Sequence, residues 1–93
     1  MTAVIVNNFT NFMYGMAHEL LEDKGIDFTL LLPLIQETAQ KVQFNKPHHT
    51  QTGPARRKDE LTIKRHLELL EKHPEYKKIY RLLSEQLIKK YHE

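Results

Sequence analysis

Apolar residues recur at intervals of three and four along most of this 93-residue chain. That spacing places apolar side chains on one side of an α-helix, whereas a half-buried strand would require strict alternation. Breaking and capping residues divide the pattern into four stretches, so the sequence predicts an all-α protein. The expected architecture is a four-helix bundle-like domain of two helical hairpins, occupying residues 1–93 as a single domain. The four stretches are residues 3–23, residues 27–44, a helix that begins after Asp59, and a helix from Pro74 to the end.

Glycine, proline and aspartate residues mark where these helices begin and end. Gly25 is a typical helix stop, and Asp27 is a typical cap for the helix that follows. Pro33 lies either in the first turn of that second helix or at a kink within it. Residues 45–58 contain two prolines and a glycine, which predicts a loop. Pro74 suits the first position of the last helix, because a backbone N–H group there would have no partner.

Composition excludes several classes of protein. The chain has no cysteine, which excludes a disulfide scaffold, a thiolate nucleophile and a cysteine-ligated metal. Its three glycines are too far apart to form either of the common phosphate-binding loops. No stretch approaches the roughly 20 apolar residues of a membrane span, and a cytoplasmic location is expected. The adjacent His48 and His49 are a weak metal signal because no carboxylate partner accompanies them, so no metal and no cofactor is predicted for this chain by itself.

Charge is distributed unevenly along the chain. Residues 1–45 carry a net charge of −3, and residues 46–93 carry a net charge of +5. A basic half can bind a polyanion. Lysines interleaved with acids on exposed helix faces also keep small helical domains in solution, and we favour this second interpretation, so nucleic acid is not the expected partner. The basic residues of the last helix are Lys77, Lys78, Arg81, Lys89 and Lys90.

The first helix has no charged side chain from Met1 to Ala17. The side opposite its apolar arc carries asparagines, a glycine and a histidine, although exposed helix positions usually favour lysine or glutamate. Three further short helices can cover one side of this helix but hardly both. We therefore expect a neighbour, either a second copy of the chain or another domain of a longer chain from which this one is cut. The residues of this polar side are Asn7, Asn8, Asn11, Gly15 and His18.

A second informative segment runs from Thr52 to Asp59, which we call the motif loop, and it leads into the third helix. Gly53 and Pro54 predict a tight turn, and Asp59 is predicted to cap the free N–H groups at the start of the helix. His66 lies beside the apolar face of this helix. A histidine in that position is more often a satisfied core side chain than a ligand or a base. No catalytic triad or paired-carboxylate pattern can be defended from the spacing.

These residues carry a resemblance to a known family. The run TGPARRKD from Thr52 to Asp59 and the run TIKRHL from Thr62 to Leu67 resemble the C-terminal helical domain of NAD(P)-dependent oxidoreductases. Those proteins pair an N-terminal Rossmann domain with an all-helical domain of unknown function, in the broad superfamily of 6-phosphogluconate dehydrogenase and pyrroline-5-carboxylate reductase. The runs AVIVNNFTNFMY and LLPLIQETA are similar to the first two helices of that domain, so the resemblance covers nearly the whole chain.

The resemblance implies that a Rossmann domain outside this chain binds NAD(P), while this chain forms a homodimer and closes the substrate cleft. The polar start of the first helix would then lie against the cleft, although Asn7 departs from the family pattern. The resemblance leaves the catalytic residue, the substrate and the choice between NAD and NADP open. The candidates for the cleft are Asn8, Asn11, Thr52, Arg57 and His66, with Asp59 assigned to the helix cap.

A hypothesis from a different class remains beside this one. The chain would then be a stand-alone helical interaction module whose basic last helix docks on nucleic acid or on an acidic protein. The two hypotheses differ in one requirement, because only the oxidoreductase needs a nucleotide-binding domain upstream of these residues.

Overall fold

The computed structural model describes residues 1–93 and consists of helices joined by turns. It contains no strand, so the prediction of an all-α fold is confirmed. The chain divides into two compact units, Met1–Phe44 and Asn45–Glu93, which we call the first unit and the second unit. The elements in chain order are a π-helix at Val4–Phe9, α1 at Thr10–Glu22, a 3-10 helix at Phe28–Leu31, α2 at Leu32–Phe44, α3 at Pro47–Thr50, α4 at Glu60–Leu69 and α5 at Pro74–His92.

The first predicted helix is present, but its first turn is a π-helix, which is wider than an α-helix. Val4–Phe9 forms a π-helix that runs directly into α1, and the backbone at the junction stays in the right-handed helical region. The Thr10 hydroxyl donates to the Ile5 carbonyl oxygen at 3.4 Å, five residues back. π-helical turns are rare in proteins, and those that do occur are often found at functional sites. Asn7 and Asn8 lie within this one.

α1 ends at a glycine in the left-handed region. Gly25 has a φ of 67°. The Ile26 N–H donates to the Leu21 carbonyl oxygen at 2.9 Å, and the Gly25 N–H donates to the Glu22 carbonyl oxygen at 3.0 Å. This pair of bonds is a Schellman ending, which satisfies carbonyl groups that the end of a helix leaves free. The predicted stop at Gly25 is confirmed.

The second predicted helix begins with one tighter turn. Asp27 Oδ1 accepts hydrogen bonds from the backbone N–H and the hydroxyl of Thr29, both at 2.8 Å, and so caps the 3-10 helix. These two bonds hold the pKa of Asp27 below its ordinary value. Pro33 is the second residue of α2. Of the two placements that the sequence allows for this proline, the structure therefore has the one in the first turn.

No residue of the first unit is buried. α1 packs on the 3-10 helix, where the rings of His18 and Phe28 lie 5.4 Å apart. Large apolar side chains along the whole unit nevertheless stay in contact with solvent. The exposed ones are Met1, Val4, Ile5, Val6, Phe9, Phe12, Met13, Tyr14, Ile26, Leu30, Leu32, Leu34, Val42 and Phe44.

The total exposed surface area of the chain shows the same lack of burial. The chain exposes 7606 Å². Two independent globules, each of half its 11.1 kDa mass, would together expose only about 6,800 Å² by the usual scaling of surface with mass. The excess means that these helices bury less surface than folded proteins of their size normally do. No helix combines the length and the apolar character that a membrane span requires.

The predicted loop over residues 45–58 contains one helical turn. Lys46 is extended, and Pro47 occupies the first turn of α3, which spans Pro47–Thr50. The fixed φ of proline favours that position. The prediction of an uninterrupted loop is therefore corrected at these four residues, because a proline after an extended residue starts a turn as readily as it ends a helix.

Side chains from the last turn of α5 hold this segment. The Tyr91 hydroxyl donates to the His48 carbonyl oxygen at 3.1 Å, and the two rings stack with their centroids 4.9 Å apart. The Arg56 guanidinium lies over the Tyr91 ring, 4.5 Å from its centroid. His92 Nε2 donates to the Arg56 carbonyl oxygen at 2.7 Å. We call these four residues the clasp.

The motif loop forms a turn with two residues at positive φ. Gly53 has a φ of 102°, and Lys58 has a φ of 56°. The Asp59 N–H donates to the Pro54 carbonyl oxygen at 2.8 Å, and the Lys58 N–H donates to the Ala55 carbonyl oxygen at 3.1 Å. These two bonds form a second Schellman turn, in which Lys58 occupies the left-handed position that Gly25 has after α1. A lysine in the left-handed region costs roughly 1–2 kcal/mol of backbone strain.

The core of the second unit is small. Its buried apolar residues are Ala55 in the motif loop, Ile63 on α4 and Leu70 at the end of α4. α4 and α5 pack against each other, and the predicted break before Pro74 is confirmed because α5 begins there. Ser84 on α5 is the one buried polar residue.

The same substitution at two glycines of the first unit tests the backbone conformation assigned to each. Gly15 lies inside α1 and Gly25 at its left-handed end, and a Cβ added at either would meet nothing within 4 Å. Gly15→Ala should raise the free energy of unfolding by about 1 kcal/mol, because alanine is the better helix former. Gly25→Ala should lower it by about 1–2 kcal/mol, because alanine is strained at positive φ. Urea unfolding followed by circular dichroism measures both, and shifts of the same sign would contradict the assigned backbone.

Candidate functional site

Asn8 and Asn11 lie on either side of the junction between the π-helix and α1, and both are exposed. Gly15, further along the same polar side, is also exposed, and nothing lies within 4 Å of the place where its Cβ would stand. A side-chain amide can both donate and accept hydrogen bonds. This part of the first helix can therefore receive a substrate or another chain without displacing any side chain of its own unit.

His18 lines an open pocket of about 360 Å³ at the end of α1. Its Nδ1 lies 3.6 Å from Glu22 Oε2, and Asp27 also lines the pocket. Two carboxylates beside the imidazole disfavour an anionic ligand. The rings of His48 and His49 lie with their centroids 5.5 Å apart. No group of three or more His, Asp or Glu side chains is positioned to hold a metal ion.

Asp59 caps α4. Its Oδ1 accepts from the Thr62 N–H at 3.1 Å, and its Oδ2 accepts from the Thr62 hydroxyl at 2.7 Å. These two hydrogen bonds, with smaller contributions from the charges of Arg57 and Arg65, hold the pKa of Asp59 below its ordinary value. Arg57 Nη2 lies 3.9 Å from Asp59 Oδ2, and both side chains are partly exposed. Such an ion pair contributes little, so the guanidinium remains available to a ligand.

His66 is half-buried and faces α5. Its Nδ1 lies 2.6 Å from Tyr80 Oη, with the two rings edge to face. The Tyr80 hydroxyl also shares a hydrogen bond with Ser84, one turn further along α5, and burial raises the pKa of Tyr80 above its ordinary value. His66 is therefore a hydrogen-bonded side chain between two helices, which is the interpretation that the sequence favours.

The sequence interpretation missed Tyr80 and Ser84 as polar partners. Tyr80 follows the apolar spacing of α5, so the pattern assigned it to the core, and its partner His66 lies on another helix, 14 residues earlier. One signal was present in the sequence. Tyr80 and Ser84 are four residues apart, which places their two hydroxyl groups on the same helix face.

A cavity of about 210 Å³ lies between the motif loop and α5, within the second unit. Thr52 lines this cavity, whereas Arg57 and His66 do not. The cavity therefore brings one of the sequence-derived candidates, Thr52, together with the two residues that the sequence interpretation missed, Tyr80 and Ser84. The lining residues are Thr52, Gly53, Pro54, Ala55, Tyr80, Leu83, Ser84 and Leu87.

The basic residues of α5 are interleaved with acids. The Lys77 ammonium pairs with Glu71, and Lys78 Nζ lies 3.4 Å from Glu75 Oε1. Two of the five basic side chains are thus partly neutralised within their own unit. This arrangement is typical of a solvated helix face, as the sequence interpretation favours.

Comparison with known proteins establishes the family. The chain matches the family described as Domain of unknown function (DUF2520) over residues 1–87, and it belongs to that family. It is also similar to the crystal structure of a "putative NADP oxidoreductase" from Bacteroides fragilis, with 45% sequence identity and a TM-score of 0.92 over 95% of this chain. The match covers 34% of that protein, so this chain spans about a third of its length. No curated protein matches the sequence.

The family resemblance drawn from the motif loop and the first two helices is thereby confirmed. The structure places two of the five cleft candidates, Asn8 and Asn11, in the first unit, and the other three, Thr52, Arg57 and His66, in the second. Their roles in a substrate cleft stay predictions.

The cap gives a test of the motif loop. Asp59→Ala removes both hydrogen bonds to Thr62 and should lower the melting temperature of the 93-residue protein. The expected loss is about 5 °C. Asp59→Asn keeps an oxygen acceptor and should lose less. Arg57→Ala should leave the melting temperature nearly unchanged, because its ion pair is long and exposed. A larger loss from Arg57→Ala than from Asp59→Ala would contradict these assignments.

The cap should also depend on pH. The folded-state pKa of Asp59 lies below its unfolded value, so the stabilisation from the ionised carboxylate is complete above the unfolded pKa and is lost as the pH falls through the folded one. The melting-temperature difference between the wild type and Asp59→Asn should therefore shrink below about pH 4. Thermal melts between neutral and acid pH measure this difference, and a constant value would show that the charge has no part in the cap.

Proposed function

We propose that this chain is the C-terminal helical domain of a cytoplasmic NAD(P)-dependent oxidoreductase, in which it forms a homodimer and closes one side of the substrate cleft. The observation that carries the proposal is the 45% identity and 0.92 TM-score, over 95% of this chain, to a third of a protein described as an NADP oxidoreductase. The rest of the enzyme would include a Rossmann domain that binds the cofactor. The three separated glycines of this chain do not fit the phosphates of a dinucleotide.

The uncovered apolar surface of the first unit supports a partner. Phe9 and Phe12 are 57% and 54% exposed, and no residue of the unit is buried. An apolar surface of this extent is typical of an interface with another chain or domain. The absence of charged side chains from Met1 to Ala17 supports the same conclusion, because no ionised side chain of this segment would lose its hydration on contact.

The candidate cleft residues have the chemistry that a reductase substrate needs. The exposed amides of Asn8 and Asn11 can hydrogen-bond a carbonyl or imine group without adding charge. The Arg57 guanidinium can hold an anionic group through charge-assisted hydrogen bonds. The bound nicotinamide would supply the hydride chemistry. The residues of this chain would orient the substrate and exclude water from it.

A chimera tests the proposal. This chain replaces the matched third of the Bacteroides fragilis protein, and NADPH is titrated by calorimetry into the chimera and into the 93-residue chain alone. We expect saturable binding by the chimera and no measurable heat of binding from the chain alone. Saturable micromolar binding by the chain alone would place the cofactor site among these helices and overturn the proposal.

The same chimera tests the cleft. NADPH oxidation is measured with a panel of carbonyl and imine compounds, and for any compound that is reduced, Asn11→Ala and Arg57→Ala should lower kcat/KM by about tenfold. Lys64→Ala, at an exposed position on α4, is the matched control and should have no effect. Equal activity of all three variants would remove both residues from the cleft.

Self-association is expected of the chain itself. Sedimentation equilibrium should detect a dimer, and Phe9→Glu should shift the equilibrium to the monomer because it places a charge in the uncovered apolar surface. Leu61→Glu is the control, since Leu61 is 69% exposed but lies on α4 in the second unit. A monomer at every concentration, or an equal effect of both variants, would contradict a dimer formed through the first unit.

A further inference from the structure

Two consecutive arginines of the motif loop have different partners. The Arg56 guanidinium lies over the Tyr91 ring at the end of α5, 4.5 Å from the ring centroid. The Arg57 side chain is 63% exposed, and its ion pair with Asp59 is 3.9 Å long. A cation above an aromatic ring is attracted by the negative face of the ring. Arg56 therefore anchors the loop to α5, and Arg57 is the arginine that a ligand can reach.

The peptide group between the two arginines is held at both of its edges. The Arg56 carbonyl oxygen accepts a hydrogen bond from His92 Nε2 at 2.7 Å, and the Arg57 N–H donates to the Gly53 carbonyl oxygen at 3.3 Å. This carbonyl and this N–H belong to one peptide plane, which does not twist about its central bond. The two hydrogen bonds therefore fix the orientation of the plane, and with it the direction in which the Arg57 side chain leaves the backbone.

One of these two hydrogen bonds comes from the clasp. His92 lies 36 residues after Arg56, and the neighbouring Tyr91 is itself held by a hydrogen bond to the His48 carbonyl oxygen and by stacking on the His48 ring. The last turn of α5 is thus fixed against the segment before the motif loop. Without the His92 hydrogen bond, the peptide plane would be held at its N–H edge alone and could rotate about the backbone angles on either side.

We propose that Tyr91 and His92 are positioning residues for Arg57, which they hold in the orientation that binds an anionic group of the substrate. The inference rests on the proposed function, in which Arg57 faces the cleft, and deepens it by naming the residues that orient this side chain. A guanidinium donates two parallel hydrogen bonds to an anionic group only when its plane is aligned with the acceptor oxygens. Rotation of the loop therefore weakens the contact, although neither Tyr91 nor His92 contacts the substrate.

The first test uses the 93-residue protein alone. Hydrogen exchange of the Arg57 amide, followed by NMR, should be about fivefold faster in His92→Ala than in the wild type, because loss of the hydrogen bond at one edge frees the other edge of the plane. His92→Gln keeps an N–H donor and should restore slow exchange. Lys89→Ala, at an exposed position on α5, is the matched control and should have no effect. Equal exchange in His92→Ala and the wild type would overturn the inference.

The second test uses the chimera with the Bacteroides fragilis protein and pairs each carboxylate compound of the panel with its neutral amide. His92→Ala and Tyr91→Leu should each lower kcat/KM about fivefold for the carboxylate, mainly through KM, and leave the amide unaffected. The double variant Arg57→Ala/His92→Ala should be no slower than Arg57→Ala, because a residue that acts through Arg57 has no effect without it. Equal losses for carboxylate and amide, or additive losses in the double variant, would overturn the inference.

These outcomes are distinguishable from failure of the proposed function. The exchange measurement uses neither cofactor nor substrate, so equal exchange in His92→Ala would leave NADPH binding by the chimera standing as support for the proposed function. Failure of the chimera to bind NADPH would overturn the proposed function, and the exchange of the Arg57 amide would then decide by itself whether His92 orients Arg57.

Discussion

The lack of a buried side chain in the first unit is the constraint on which the rest of the interpretation depends. Ordering a backbone costs about 1–2 kcal/mol per residue, and burial of apolar surface, at about 25 cal/mol per Å², is the main term that offsets it. Met1–Phe44 has two α-helices, a π-helix and a 3-10 helix, but none of its residues is buried. An apolar surface left uncovered to this extent is typical of an interface with another chain or domain, which is the arrangement that the proposed function assigns to this unit.

The second unit is stabilised in a different way. Its apolar core consists of three buried residues, and directed polar contacts do much of the remaining positioning. Asp59 fixes the start of α4, the His66–Tyr80 hydrogen bond joins α4 to α5, and Tyr91 holds the segment before the motif loop. Such contacts specify geometry more than they add net stability. The helices and the loop that form the cavity beside Tyr80 and Ser84 are therefore positioned by hydrogen bonds as well as by apolar packing.

Features that depend on neighbouring residues could be predicted from the sequence, and features that depend on distant ones could not. Gly25, Asp27 and Asp59 act on backbone groups within five residues of themselves, so their types alone indicate the helix ends. The π-helix at Val4–Phe9 has no local sequence signal that we can name. The pairing of His66 with Tyr80 requires two helices to be placed first. The candidate site was consequently predicted as a set of residue types, while the cavity that Thr52 lines together with Tyr80 and Ser84 appeared only in three dimensions.

The clasp couples the two ends of the second unit. Tyr91 and His92 belong to the last turn of α5, yet their contacts are with His48 and Arg56, about 40 residues earlier. Both residues lie beyond the stretch that matches the family, which ends at residue 87. Part of the shape of this loop is thus held by side chains that lie outside the matched stretch. A change in the final helical turn alone can therefore alter the stiffness of the loop without any change in the residues of the loop itself.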